Sequence, residues 1–159
     1  MEDLKTFIGV KMIQAKPMNY HQFLSEIKNV NEAVAKHKVY GEDKNGYLVV
    51  YPDGYKSWSP KDVFEKAYFQ LDRDNVITED DCERFIVKGN FTKVSPKSAL
   101  VTYTTKTGFE LNEISACVDP ARFSEEIAMD VTKESAVDKL WSYLGFALQW
   151  ARSGITGVK

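Results

Sequence analysis

The spacing of apolar residues near the N-terminus changes from that of a strand to that of a helix. The stretch Phe7–Ala15 alternates in the manner of a β-strand, and Pro17 ends it. From Asn19 to Lys38 the apolar residues instead recur every three or four positions, with polar residues between them. This pattern predicts an amphipathic surface helix that begins at a capping Asn19.

The following segment has the pattern of a tight β-hairpin with a helix after it. β-Branched and aromatic residues in Tyr47–Trp58 flank the turn sequence Pro52-Asp53-Gly54, whose glycine can adopt a positive φ. Ser59 and Pro60 then have the composition of a helix start, with serine as the cap and proline in the first turn. The predicted helix runs from Pro60 to about Tyr68 and buries Val63, Phe64 and Ala67.

Beyond a polar stretch at 71–76, the pattern predicts a second short helix and a short strand. Thr78 and the acidic residues after it resemble a capping box, which predicts a helix to about Lys88. Gly89 is the expected C-terminal stop of that helix. The strand is expected over Asn90–Val94.

A second hairpin and a long helix complete the chain. Ala99–Thr105 and Gly108–Val118 read as its two strands, and alternation places Val101, Tyr103 and Thr105 opposite Leu100, Thr102 and Thr104. Asp119 and Pro120 predict the cap and first turn of a helix over Ala121–Trp150, with a frayed tail over Gly154–Lys159. Unbroken, that helix would be about 45 Å long at 1.5 Å per residue. It either breaks near Thr132–Ser135 or projects and pairs with another chain.

These elements predict an α+β fold of two small modules. The first module, 1–70, contains a strand, a helix, a hairpin and a short helix. The second, 71–159, contains a short helix, a hairpin and the long C-terminal helix. Each module is expected to pack a hairpin or sheet against helices, as small α+β domains do.

Composition excludes several classes of protein. The chain has 159 residues, of which 43% are hydrophobic and 28% charged, so it is neither disordered nor collagen-like. Its formal net charge of −2 provides no general attraction to nucleic acid or to anionic lipid. We see neither a signal peptide nor an apolar run long enough for a membrane span.

The residues whose chemistry could support catalysis are better explained by structural roles. His21 and His37 lie too far apart on one predicted helix to share a metal, and the two cysteines lack a zinc-binding spacing, so no metal or cofactor is expected. Cys117 precedes a helix start, where a thiolate is favoured, but its strand pattern favours core packing. The acidic pairs Asp80-Asp81 and Glu125-Glu126 suit first helical turns. The sequence therefore predicts a protein that is not an enzyme.

Aromatic and basic residues provide the candidate binding surfaces. A ligand-binding face is predicted on the first hairpin, from Tyr47, Tyr51, Tyr55, Trp58 and Lys61; core or oligomer packing is the alternative for its aromatic residues, and for Tyr68. An oligomer interface is predicted near the end of the last helix, from Leu140, Trp141, Leu144, Phe146 and Trp150. Four lysines around the second hairpin either contact a phosphate or protect a sheet edge: Lys88, Lys93, Lys97 and Lys106.

Two stretches resemble known phage sequences. The order Ser115-Ala116-Cys117-Val118-Asp119-Pro120, then Glu125-Glu126-Ile127, then Lys139-Leu140-Trp141 resembles a small tailed-phage protein family named after gene products forty-nine and sixty-six of two enterobacterial phages. This resemblance covers about residues 78–150, although Ser142 stands where the family usually has proline. The segments Lys5–Lys11, Ala15–Met18, Gly46–Val49 and Tyr51–Glu65 resemble a phage accessory module that also precedes domains like the Thoeris anti-defence proteins, which sequester a signalling nucleotide.

The resemblances imply a phage-encoded protein that acts in the cytoplasm of the infected bacterial host. They suggest a non-enzymatic counter-defence role in which an oligomer binds and sequesters a nucleotide-type immune signal. Sequestration does not transfer residue by residue, because the Gly-Trp-Asn-Gly-Lys-Gly-Met-type signature of the downstream domain is absent from this sequence. The alternatives are an anti-CRISPR-like protein that inhibits a host defence enzyme, and an accessory protein of virion assembly.

Overall fold

The computed structural model describes residues 4–31 and 44–156. The chain divides into two compact units, Met1–Gln70 and Leu71–Lys159. Each unit contains a three-stranded antiparallel sheet together with helices, which confirms the predicted α+β class.

The sheet of the N-terminal unit has the order β1-β2-β3, formed by Gln14–Pro17, Gly46–Val50 and Lys56–Pro60. The predicted strand Phe7–Ala15 is therefore wrong over most of its length, and Phe7 is 88% exposed. The reason is the length of the partner strand. Gln14 pairs with Val50, the last residue of β2, so residues before Gln14 have no strand to pair with.

The predicted hairpin is confirmed. Tyr51 and Tyr55 close the turn through a backbone hydrogen bond of 2.9 Å, and the Asp53 carboxylate accepts from the Tyr55 N–H. Gly54 has a φ of 84°, which an L residue adopts only with strain. The turn residues thus set the register that pairs Leu48 with Trp58.

The first helix is shorter than predicted. Asn19 caps α1, Tyr20–Gln22, through the predicted side-chain hydrogen bond, and the chain continues as a π-helical turn over Phe23–Ile27. Asn29 then adopts a φ of 53°, and the N–H of Val30 bonds to the carbonyl of Leu24, which ends the helix in a Schellman-like arrangement. The rest of the predicted helix, from residue 32 onward, lies outside the described residues.

The helix after the hairpin, α2, spans Lys61–Ala67. Ser59 is not its cap, because Ser59 and Pro60 still pair with β2 as part of β3. The prediction that α2 buries Val63, Phe64 and Ala67 is also wrong, since none of its residues is fully buried and Val63 is 59% exposed. The core lies mainly on the opposite side of the sheet, where one buried cluster contains Met18, Phe23, Leu24 and Leu48.

The sheet of the C-terminal unit has the order β4-β5-β6, formed by Ile86–Ser95, Ser98–Thr105 and Glu110–Ala116. The predicted alternation on β5 is confirmed, because Val101, Tyr103 and Thr105 are buried. Gly89 does not end a helix but lies within β4 opposite Tyr103. A Cβ at Gly89 would lie 2.8 Å from the Tyr103 ring, so the glycine is needed for this close approach.

The short helix of this unit, α3, spans Glu79–Phe85, and Thr78 caps it through the predicted capping box with Asp81. It ends three residues earlier than expected because Ile86 enters β4 and pairs with Thr105. Cys117 was expected in a buried strand, but β6 ends at Ala116, which pairs with the first residue of β5. Cys117 is therefore half-buried beyond the sheet.

The last helix, α4, is continuous over Glu125–Ser153 and about 43 Å long. Its cap is Ser124; Asp119 instead caps a separate 3-10 turn, Pro120–Arg122, so the predicted start was one turn early. No break occurs near Thr132. The expected frayed tail begins as a 3-10 turn, Gly154–Thr156, and residues 157–159 lie outside the described residues.

The core of the C-terminal unit forms where α4 and α3 pack on one face of the sheet. Its buried apolar members are Ile77, Cys82, Val101, Tyr103, Leu111, Ala136, Val137 and Leu140. The Tyr103 hydroxyl lies 3.0 Å from both the Met129 carbonyl and the Thr132 hydroxyl, so this buried polar group is satisfied. These contacts fix α4 against β5.

Candidate functional site

Trp58 belongs to the core of the N-terminal unit rather than to an open binding face. Its indole Nε1 donates to the Met18 carbonyl at 2.7 Å, and its ring lies 4.8 Å from that of Tyr20. A Cβ at Gly46 would collide with the same ring. Trp58 is thus held by packing and by a hydrogen bond, which leaves it little freedom to bind a ligand.

Tyr47 faces the other side of the sheet, where α2 covers it. Its ring stacks on Phe64 at a centroid distance of 4.1 Å, and its hydroxyl donates to a Glu65 carboxylate oxygen at 2.9 Å. That hydrogen bond, with burial and the charge of Glu65, raises the pKa of Tyr47 above its ordinary value. Tyr47 is therefore a link between β2 and α2.

Tyr51 and Tyr55 lie at the tip of the hairpin, each beside a lysine ammonium group. The Nζ of Lys11 is 5.8 Å from the centre of the Tyr51 ring, and the Nζ of Lys28 is 5.9 Å from that of Tyr55. The two rings are 5.8 Å apart, and Tyr55 is 60% exposed. We call Lys11, Lys28, Tyr51 and Tyr55 the hairpin-tip patch.

Lys61 lies at the opposite end of the hairpin. Lys56 pairs with Val50 near the turn, whereas Pro60, the residue before Lys61, pairs with Gly46. Four strand steps separate those pairs, about 14 Å at 3.4 Å per residue. The five predicted ligand-binding residues thus do not form one site: two lie in the hairpin-tip patch, and Trp58, Tyr47 and Lys61 lie elsewhere.

Sequence reasoning missed both lysines of the patch. Lys11 lies in the segment before β1, and Lys28 follows the π-helical turn. Their nearness to the tyrosines depends on how the strand and helix pack beside the hairpin, so no local pattern identifies them. The sequence shows only that Lys11 interrupts an apolar stretch and that Lys28 follows one.

Aromatic side chains also stack along α2. Phe64 contacts Tyr68 at 4.9 Å as well as Tyr47 at 4.1 Å. Burial and the neighbouring Tyr51 raise the pKa of Tyr68 above its ordinary value. The stacked rings help to fix α2 against β2.

The five residues of the predicted oligomer interface differ in their surroundings. Leu140 is only 2% exposed and belongs to the core of its own unit, so its inclusion was wrong. Leu144 packs partly against the same core. Trp141 is 41% exposed and Phe146 70%, and the Phe146 ring meets the Trp150 ring edge to face at 6.2 Å.

A cleft of about 420 Å³ lies between α3 and α4, and its lining is strongly acidic. Five carboxylates face it, against one lysine, Lys133, whose Nζ lies 3.3 Å from Glu83. Trp141 and the buried Val137 also line it. The carboxylates are those of Glu79, Glu83, Asp130, Glu134 and Asp138.

Asp81, one of the paired acids, has a structural role. It is fully buried and accepts hydrogen bonds from the backbone N–H groups of Asp72, at 2.8 Å, and Thr78, at 2.9 Å, and from Arg84. Burial alone would raise its pKa, but the hydrogen bonds and the guanidinium together lower the pKa below the ordinary carboxyl value. Asp81 thus joins the start of α3 to the segment before it.

The thiols and histidines form no reactive group in the described structure. Burial raises the pKa of Cys82 to about 11. The Cys117 thiol lies 3.3 Å from the Asp119 carbonyl, and His21 is half-buried in α1, while His37 lies outside the described residues. Residues 4–31 and 44–156 contain no group of three His, Cys, Asp or Glu side chains able to hold a metal.

The four lysines around the second hairpin are all exposed. Lys93 lies over the Phe123 ring, 4.3 Å from its centre, and so contributes to packing beneath the sheet. Lys88 lies on β4, an edge strand, where charged side chains oppose unwanted pairing with another sheet.

Comparison with known proteins gives a family match in the C-terminal unit. Residues 77–151 match the phage protein (N4 Gp49/phage Sf6 gene 66) family. This family region includes α3, the whole β4-β5-β6 sheet and nearly all of α4, and it confirms the resemblance to that family. The N-terminal unit, with the hairpin-tip patch, lies outside it. No curated protein and no solved structure gives a significant match to the chain.

No helix within the described ranges has both the length and the apolar character needed to cross a bilayer.

Proposed function

We propose that this phage-family protein is a non-enzymatic counter-defence protein that binds a nucleotide-type ligand at the hairpin-tip patch. The observation that carries this proposal is that the Nζ atoms of Lys11 and Lys28 lie over the rings of Tyr51 and the exposed Tyr55, at 5.8 and 5.9 Å, with Lys28 also 5.7 Å from the centre of the Phe23 ring. The proposed action is capture of an immune signal in the cytoplasm of the infected host.

The chemistry of the patch suits a planar ring joined to phosphate. An exposed tyrosine ring offers a face on which a base stacks, and such stacking contributes about 1–3 kcal/mol per base. Ammonium groups near the ring attract phosphate oxygens. The patch has two of them, although the net charge of the whole chain is −2. The patch thus brings two ammonium groups to the hairpin tip, where the Asp53 carboxylate already accepts from the Tyr55 N–H.

A binding role rather than catalysis is supported by how the reactive side chains are used. The Asp81 carboxylate accepts hydrogen bonds from three donors, and Cys82 is buried with a pKa of about 11. Neither group is therefore suited to acid–base or nucleophilic chemistry at neutral pH. Tyr47 has a raised pKa and a structural partner in Glu65.

Calorimetric titration with cyclic and ADP-ribose-type nucleotides tests the proposal. We expect binding to one or more members of the panel, and a loss of about tenfold or more in affinity for Lys28→Gln, because the variant removes one ammonium group. Lys61→Gln is the matched control, since it makes the same change at an exposed site on the other end of the hairpin. No binding by the unmodified protein, or equal losses for both variants, would contradict the proposal.

A second candidate function is inhibition of a host defence enzyme by direct binding, and the acidic cleft favours it. Five carboxylates and the indole of Trp141 suit a basic polypeptide segment, because carboxylates attract lysine and arginine and an indole face binds their cations. The same charges repel a nucleotide, so the cleft and the hairpin-tip patch suit different ligands.

Affinity capture from defence-positive cells infected with phage separates the two candidates. If the cleft binds a host enzyme, that enzyme should co-purify with the unmodified protein and be lost with Glu134→Lys plus Asp138→Lys. Glu110→Lys is the control, since it reverses an exposed charge on the sheet, away from the cleft lining. Retention of the same host protein by the double variant would rule out the cleft.

A further inference from the structure

The two halves of α4 differ sharply in charge. From Glu125 to Lys139 the helix carries seven charged residues, whereas from Tyr143 to Thr156 the only one is Arg152. A helix face that remains in water is normally rich in charged residues. Leu144 and Leu148 on this half pack against the core of the same unit, so only its exposed side lacks an explanation.

Aromatic rings are exposed on this charge-poor half. Tyr143, Phe146 and Trp150 follow one another at intervals of three and four residues, which places them along one side of α4. Phe109, from the turn before β6, meets Tyr143 edge to face at 6.1 Å and extends the same surface. Phe146 is 70% exposed, Phe109 60% and Tyr143 49%, whereas Trp150 is half-buried. We call these four residues the C-terminal aromatic face.

We propose that the C-terminal aromatic face is the interface of a homodimer, in which the C-terminal halves of two α4 helices pair antiparallel. This inference is independent of ligand binding, because the hairpin-tip patch belongs to the other unit.

Charge argues for a second copy as the occupant. A two-fold interface brings a surface against itself, so any net charge on it opposes the identical charge of the partner copy. The N-terminal half of α4, with its five acids and two lysines, would repel itself, whereas an uncharged aromatic surface meets itself without that cost. An antiparallel crossing at the C-terminal halves also keeps the two acidic halves apart.

The composition of the C-terminal aromatic face is compatible with this pairing, because none of its four residues is charged. Aromatic residues are also enriched, and charged residues depleted, at the centres of protein interfaces.

The available area predicts a weak, reversible dimer. Aromatic side chains bury about 200 Å² each when fully covered, so the exposed parts of Phe109, Tyr143 and Phe146 supply about 360 Å² per copy. With Trp150 and the 88% exposed Ile155 at the rim, two copies bury about 1,000 Å² together, the lower limit for a specific interface. Association should therefore depend on protein concentration.

Sedimentation velocity across about two decades of concentration measures this dimer. We expect the mass of the full chain to rise from monomer to dimer, and Phe146→Glu to weaken association by at least about tenfold, because it places two carboxylates against each other. Ile127→Glu is the matched control, since Ile127 is 62% exposed on the acidic half of the same helix. A monomer at every concentration, or an equal effect of both variants, overturns the proposal.

Disulfide trapping tests the geometry without altering an aromatic side chain. In a Cys117→Ser background, Gln149→Cys places a thiol beside Trp150 on the exposed side of the paired segment and should form a covalent dimer rapidly on mild oxidation. Glu134→Cys, exposed on the acidic half, should react many times more slowly. Equal rates for the two cysteines would overturn the antiparallel pairing at the C-terminal halves.

Discussion

At the scale of single residues, the buried carboxylate of Asp81 has the strongest consequences for stability. It is fully buried, and it accepts hydrogen bonds from the backbone N–H groups of Asp72 and Thr78, near the start of α3, and from Arg84. Asp81→Asn keeps the shape but removes the negative charge, so we expect a loss of about 2 kcal/mol in the free energy of unfolding, measured with urea. Asp80→Asn, at an exposed acid that also pairs with Arg84, should cost less than about 1 kcal/mol.

The lowered pKa of Asp81 also predicts how stability depends on pH. Because the folded protein holds this carboxyl ionised more readily than the unfolded chain, its contribution is complete above the ordinary pKa of 3.8. This stabilising contribution is lost as the pH falls below 3.8 and passes through the lower pKa that Asp81 has in the folded protein. Urea unfolding of Asp81→Asn should therefore show a weaker decline below about pH 4 than the unmodified protein; parallel pH profiles would contradict this assignment.

The two thiols should differ in reactivity for reasons of burial. Cys82 is fully buried with a pKa of about 11, so about one molecule in a thousand carries its thiolate at pH 8, whereas Cys117 is half-buried beyond β6. With Ellman's reagent, one thiol should react rapidly and the second only at the rate of unfolding. Cys117→Ser should remove the fast phase and Cys82→Ala the slow one; a fast reaction of Cys82 would show that the core around α3 opens readily.

At the scale of elements, β4 depends on a glycine that its sequence pattern assigned to a helix end. A Cβ at Gly89 would press on the Tyr103 ring, whose hydroxyl is fixed by Met129 and Thr132, so the ring has little room to retreat. Gly89→Ala should therefore destabilise the protein by about 1–3 kcal/mol in urea unfolding. Asn90→Ala, at the next and exposed position of β4, should have a much smaller effect; equal effects would point to strand propensity instead.

The elements that the sequence predicted well are those defined by local chemistry. The turn at Pro52-Asp53-Gly54, the Thr78 capping box and the alternation along β5 each depend on residues within a few positions of one another. The predicted ends of elements were wrong where pairing with a residue distant in the sequence determines the end. The short β2 limits β1, and pairing of Ile86 with Thr105 turns the expected end of a helix into a strand.

At the scale of the whole molecule, the α+β class could be predicted, but the composition of the candidate site could not. The sequence predicted a binding face on the first hairpin from five residues, of which Tyr51 and Tyr55 lie together in the hairpin-tip patch. Alternation along the strands puts the hairpin aromatics on both faces, but it does not show which face another element covers. Nor could it add Lys11 and Lys28, which approach the tyrosines only when separate segments pack beside the hairpin.

The two proposals can be tested separately, because the hairpin-tip patch belongs to one unit and the C-terminal aromatic face to the other. If both hold, a dimer should carry two ligands, one per chain, and Phe146→Glu should yield a monomer that binds one ligand with unchanged affinity. Conversely, Lys28→Gln should lose the ligand and keep the dimer. Native mass spectrometry reports subunit number and bound mass together. Loss of ligand from Phe146→Glu would instead show that the site is complete only in the dimer, because no residue of the patch has then been altered.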